Sequence, residues 1–111
     1  MVRLITRARF THDWAKGLVG APEDREPAVR KLVESLGGKL INLYFTTGDS
    51  DILLISEAND AESLIAGLLA AAAAGTISAV STARAWTGAE FKTVAEKASK
   101  AAKAYRAPGK R

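Results

Sequence analysis

From Val2 to Phe10 apolar and polar positions alternate: Val2, Leu4, Thr6, Ala8 and Phe10 fall on one side, Arg3, Ile5, Arg7 and Arg9 on the other. A period of two predicts a strand with one apolar and one basic face. Thr11 to Gly20 reads as a turn and a short helix, with Thr11 placed to cap it. A longer helix follows. Pro22 suits its first position, and Glu23, Asp24 and Glu26 set negative charge at the positive end of the helix dipole. Val29, Leu32, Val33 and Leu36 then recur at helical spacing until Gly37 and Gly38 stop the helix.

The pattern changes between Tyr44 and Glu57, YFTTGDSDILLISE, where two strand-like runs meet at Gly48 and Asp49. The runs cover Leu40 to Thr46 and Ile52 to Ser56, and both are apolar on both faces. Such strands need cover on each side. Asn59 or Asp60 is placed to cap the next helix, whose Leu64, Ile65, Leu68 and Leu69 form an apolar stripe. The alanines that carry this helix to Gly75 favour helix and permit close approach to a sheet. Thr76 to Trp86 reads as a fourth strand, rich in Ser, Thr and Ala. Thr87 with Glu90 forms a capping box for a last helix that reaches about Tyr105, before Pro108 and Gly109.

Strand, helix, strand, strand, helix, strand is the order of an α+β, ferredoxin-like βαββαβ sandwich, here with an added C-terminal helix. The division expected is one domain over residues 1–91 and a basic helix and tail over 92–111. Both central helices then lie on one face of an antiparallel sheet, and the other face stays open. Placing Leu53 and Ile55 toward the helices leaves Ile52 and Leu54 on the open side. With Ile77 inward, alternation adds Val80 and Trp86 to that side. An exposed apolar surface of this kind marks an interface or a ligand site. By fold analogy the expectation is a homodimer joined through the open sheet faces, a dimeric α/β barrel.

Charge sharpens this division. Seven basic residues and one acid, Glu96, follow from Lys92 onward, so the tail carries +6 of the net +4 and residues 1–91 carry −2. The basicity belongs to the tail. Cysteine is absent from the 111 residues, which excludes disulfides, thiolate metal sites and cysteine nucleophiles. The arginine-interrupted N-terminus lacks a signal-peptide core, and the longest apolar patch, around Leu68 to Ala74, is too short to span a membrane. No membrane contact is expected, and the cytoplasm is the expected compartment.

Candidate chemistry is sparse. His12, the only histidine, has Asp13 beside it and is the one weak catalytic candidate, a general base in outline. Adjacent residues on a turn rarely point together, and Trp14 argues for local packing. Asp49, Asp51, Glu57 and Asp60 match no metal-binding loop, so neither metal nor cofactor is expected; the two turn aspartates read as turn chemistry. Arg3, Arg7 and Arg9 share a strand face, and with Arg84 on a neighbouring strand they would line a pocket for a carboxylate or phosphate. Trp86, Tyr44 and Phe45 would wall it. In the tail, Phe91, Val94, Ala98, Ala101 and Tyr105 form a narrow apolar seam with lysines on the other faces, which reads as a docked helix.

The run Tyr44 to Asp60, with Gly48 and Asp51 in the turn and Glu57-Ala58-Asn59-Asp60 after it, resembles the GYD domain family of small bacterial proteins. Arg25, Gly37-Gly38, Ala85, Glu90 and Phe91 are similar to that family's pattern too. The chain departs from it at Ser50, where the family carries a tyrosine, and at Asn59, where a proline is usual. The resemblance implies a ferredoxin-like, dimeric fold and no settled activity. Three functional readings follow: a homodimeric binding or regulatory module for a small anionic or aromatic molecule; a cofactor-independent enzyme with a dimer-barrel pocket; and a nucleic-acid-associated protein acting through the basic tail. The first is preferred, so the expectation leans away from an enzyme.

Overall fold

The computed structural model describes residues 1–109. Lys110 and Arg111, counted above in the basic tail, lie outside the described residues. The elements are β1 (Val2–Phe10), α1 (His12–Gly20), α2 (Glu26–Ser35), β2 (Lys39–Phe45), β3 (Ile52–Ala58), α3 (Ala61–Ala73), β4 (Ile77–Ala85) and α4 (Gly88–Ala104). The strands form one antiparallel sheet in the order β2-β3-β1-β4, the ferredoxin-like arrangement.

Local chemistry sets the helix ends. Thr11 accepts from the Trp14 amide at 3.2 Å, Asp60 from the Ser63 amide at 2.8 Å, and Thr87 with Glu90 closes a reciprocal capping box. The start of α2 differs from expectation. Pro22 lies outside the helix, which begins at Glu26 with Pro27 in its first turn, while Asp24 accepts from the Glu26 amide. Gly37, at a φ of 80°, ends α2 in a conformation that suits glycine.

Register decides which residues meet the helices. Leu4, Thr6 and Ala8 of β1 are buried and pair with Ser56, Leu54 and Ile52 of β3, so these six share the helix-covered face. Ile52 and Leu54 therefore point under the helices, and Leu53 and Ile55 point to the open side, the reverse of the expected assignment. On β4 the pairing to β1 slips between Arg7 and Arg9, where Ala79 takes a φ of 50°. This bulge inverts the alternation beyond it. Thr82 pairs with Thr6, their hydroxyls 3.2 Å apart, which puts Val80, Arg84 and Trp86 on the helix side of the sheet rather than the open side.

Leu4, Val33, Ala58 and Leu64, joined by Val2, make the tight core at one end of the sandwich. Toward the other end, where Phe10 and Ile77 sit, the layers part. Ile65 and Leu69, expected in the buried stripe of α3, are 45% and 70% exposed, while Leu64 and Gly67 are buried. The last helix differs more. Every residue of α4 is exposed, Phe91 and Val94 of the seam included, so α4 is not docked on its own domain. It stands off the body and stretches the molecule to 66 × 30 × 23 Å, with a radius of gyration of 18.3 Å. A compact chain of about 100 residues has about 13 Å.

Candidate functional site

Where the layers part, a cavity of about 360 Å³ opens between the sheet and the helices. Its floor is the covered face of the sheet: Thr6, Ala8, Leu43, Phe45, Ile52, Leu54, Ser56 and Ile77. Val29, Leu32 and Val33 of α2, with Leu36 just after it, form one wall, and Leu64, Gly67, Leu68, Ala70 and Ala71 of α3 form another. The alanines that would let α3 close on the sheet instead leave the volume unfilled. Interiors normally pack to the density of organic crystals, so a space of this size in a small sandwich needs a reason.

Aromatic rings gather at the far end. Phe10 stacks on Trp14 with centroids 3.8 Å apart and planes at 10°, and Phe45 lies 5.9 Å from each. Trp14 and Phe45 both line the cavity. Among the described residues Arg25, immediately before α2, is the sole lining residue with an ionisable side chain. Arg25 and Trp14 also line a second, more open hollow with Asp13, Leu18, Pro22 and Glu23, so both residues stand between the cavity and solvent. One guanidinium nitrogen of Arg25, Nη1, donates to Glu23 at 2.7 Å. Its Nε and Nη2 make no hydrogen bond among the described residues.

Of the residues singled out from the sequence as a ligand or catalytic site, Phe45 alone lines this cavity. Arg3, Arg7 and Arg9 lie together on the open face with Tyr44, which pairs with Leu53. Arg84 and Trp86 take the other face, where the Arg84 guanidinium sits 5.0 Å from the Trp86 ring centroid and Trp86 meets Phe91 edge-on. The expected arginine cluster is therefore split between two faces. Even on the shared face the arginines have separate duties. Arg3 donates to Glu57 at 2.9 Å and to Glu90 at 2.7 Å, and Arg9 donates to the Asp49 carbonyl at 2.9 Å. His12 is exposed at the start of α1, and Asp51 accepts from the Phe10 amide at 2.9 Å, extending the β1–β3 pairing. Among the described residues no group of three or more His, Asp or Glu side chains is placed to hold a metal ion.

Electrostatics mark the root of α4 rather than the cavity. The Arg3 guanidinium, with the Thr87 amide behind it, holds the Glu90 carboxyl down at about 2, against an ordinary value of 4.5. Arg3 is raised in return, through its bond to Glu90 first and Glu57 second. This ion pair fixes the start of α4 to the edge of the open face.

Arg25 carried no functional reading from the sequence, nor did Trp14, Leu43 or Ser56. The usable signal was the small-residue side of α3, Gly67, Ala70, Ala71 and Ala74 at spacings of three and four, which predicts either close packing or a gap.

Among the described residues no helix is long and apolar enough to cross a membrane. No curated protein matches the chain. Among solved structures it is similar to TTHA0845 from Thermus thermophilus, with 16% identity and a TM-score of 0.50 over 79% of this chain and 96% of that one, a likeness of fold. The GYD domain model matches residues 4–95, from the first strand into the second turn of α4, and the chain belongs to the GYD domain family.

Proposed function

We propose that the protein is a homodimeric binding module whose small-molecule ligand occupies the cavity between helices and sheet. The observation that carries this reading is the cavity itself, about 360 Å³ and walled by Leu, Val, Ile and aromatic side chains where a core is expected. Binding sites for small molecules are mostly apolar, of about 300–1,000 Å³, with a few polar groups. The polar groups here are the hydroxyls of Thr6, Ser56 and Thr76 and the guanidinium of Arg25. A guanidinium keeps its proton and a hydroxyl without a base is a poor nucleophile, so the lining favours holding a molecule over transforming one. His12, the candidate base, is not in the lining.

The open face supplies the case for a dimer. Ile5 and Ile55 pair at its centre, with Ala83 on one side and Leu53 and the half-exposed Tyr44 nearby. A second copy would cover this surface and give the unpartnered seam of α4 a neighbour. A cysteine-free chain of this kind suits the cytoplasm.

The test is a thermal-shift screen of one- and two-ring apolar compounds, followed by titration of Trp14 emission, with sedimentation run in parallel. A ligand confined to the folded state stabilises it by mass action, by about 2.7 kcal/mol at one hundred times its Kd, and so raises the melting temperature. Failure of every compound to move either signal would remove the binding reading. A monomer at micromolar concentration would remove the dimer.

A further inference from the structure

Resting on that reading, we propose that the cavity takes an aromatic monocarboxylate, with its ring among Trp14, Phe45 and the leucines and its carboxylate on Arg25. Three observations converge at one end of the cavity. Arg25 brings the lining's one charged group, and it stands where the cavity meets the open hollow beside α1. Glu23 engages only Nη1 of that guanidinium, at 2.7 Å, while Nε and Nη2 make no hydrogen bond among the described residues. Nε and Nη2 form the edge to which a carboxylate binds through two parallel hydrogen bonds.

The third observation is the aromatic wall. Trp14 lines both spaces as Arg25 does, and it is held by its stack on Phe10 and its contact with Phe45. A flat ring entering beside Arg25 therefore meets Trp14 and Phe45 first, and offset or edge contacts between rings add to the area they bury. The rest of the lining is aliphatic apart from the hydroxyls of Thr6, Ser56 and Thr76, so a second charge deeper in the cavity would have no partner. One charge, at the mouth, is what the lining accommodates.

Wild-type charge balance at the mouth makes a further distinction. Glu23 holds the guanidinium in place through Nη1 and leaves Nε and Nη2 to the ligand, and its side chain is the more exposed of the two. A ligand carboxylate arriving on the Nε and Nη2 edge makes a carboxylate–guanidinium–carboxylate bridge. A phosphate, with more charge and no flat apolar body, leaves the aliphatic walls uncovered.

The test uses 1-naphthoate and its neutral isostere 1-naphthamide, titrated against a Trp86→Phe background in which Trp14 is the only tryptophan. Naphthoate is expected to bind at least about tenfold more tightly than the amide, since hydrogen bonds to an ionised group are about twice as strong as neutral ones. Arg25→Gln should remove that preference by lowering naphthoate affinity far more than naphthamide affinity, and Glu23→Gln should keep or strengthen naphthoate binding. Melting temperatures of the free variants confirm that each is folded. If both compounds bind equally and Arg25→Gln separates nothing, the carboxylate assignment is overturned and the cavity stands as a neutral-ligand site. If neither compound binds the wild type while other apolar molecules do, the ligand class is again wrong. If no small molecule of any kind binds, the binding reading itself falls.

Discussion

The two faces of one sheet are built from alternate residues of the same strands, and they differ in charge and in enclosure. Under the helices, Leu4, Thr6, Ala8, Leu54 and Ser56 carry no charge and yet leave a space of about 360 Å³. On the open side, Arg3, Arg7, Arg9 and Glu57 surround Ile5, Leu53 and Ile55, and none of these residues lines either hollow. The charged face looks like the place for recognition, and the apolar face looks like core. The difference teaches that enclosure, more than charge, makes a site: a guanidinium in water is screened, whereas Arg25 at the mouth of an apolar space acts with less competition from solvent.

The largest expected effect separates the faces on one strand. Leu54→Asp sets a carboxylate beneath the helices with no partner, at a cost of several kcal/mol, and should unfold the protein or halt its accumulation. Ile55→Asp, one residue on, places the same charge on the open face. It should leave the fold and the cavity intact while converting the proposed dimer to monomer in sedimentation. Equal damage from both substitutions would erase the distinction between the faces.

A smaller effect concerns the root of α4, which joins the open face through Arg3 and Glu90. The carboxyl of Glu90 is depressed to about 2 from 4.5, so the stability it contributes is fully present above about 4.5 and lost as pH falls toward 2. The difference in melting temperature between wild type and Glu90→Gln should follow that window and shrink in high salt, because the pair is exposed. A difference constant from neutrality to pH 2 would mean that the ion pair contributes nothing.

The smallest effect acts on the cavity wall. A Cβ at Gly67 would stand 2.9 Å from the Leu36 Cδ1, the end of a flexible side chain that borders the open space. Leu36 has room to turn inward. Gly67→Ala should therefore gain up to about 1 kcal/mol from helix propensity, measured by denaturant titration, and lose ligand affinity as Leu36 takes up volume. A clear loss of stability would show that α2 and α3 cannot give at their closest approach.

How far the sequence speaks depends on how local the determinant is. The caps at Thr11 and Thr87, the glycine stop at Gly37 and the split βαβ order rest on residues within a few positions of one another and were legible, while the cap of α3 was narrowed to Asn59 or Asp60, of which Asp60 takes the role. The faces of β3 were not, because Ile52, Leu53, Leu54 and Ile55 offer no polar residue to break the tie. Pairing with Thr6 and Ala8 decides it, and that is a long-range fact. On β4 a bulge at Ala79, with no glycine to announce it, carried Val80, Arg84 and Trp86 across the sheet and dissolved the expected arginine pocket. The cavity is further still from sequence, since it arises where small residues on α3 face leucines from α2 and β3. The helical spacing of α4 was legible, but periodicity says nothing of what covers its apolar positions.

One measurement sets the two faces against each other directly. Methyl-labelled protein titrated with 1-naphthoate gives resolved shifts for Val29, Leu32, Leu43, Leu54 and Leu68 around the cavity, and for Ile5, Leu53 and Ile55 on the open face. Saturable shifts in the first group, with the second unmoved, are the predicted result. Shifts confined to the open-face methyls would contradict the assignment of the site to the space beneath the helices.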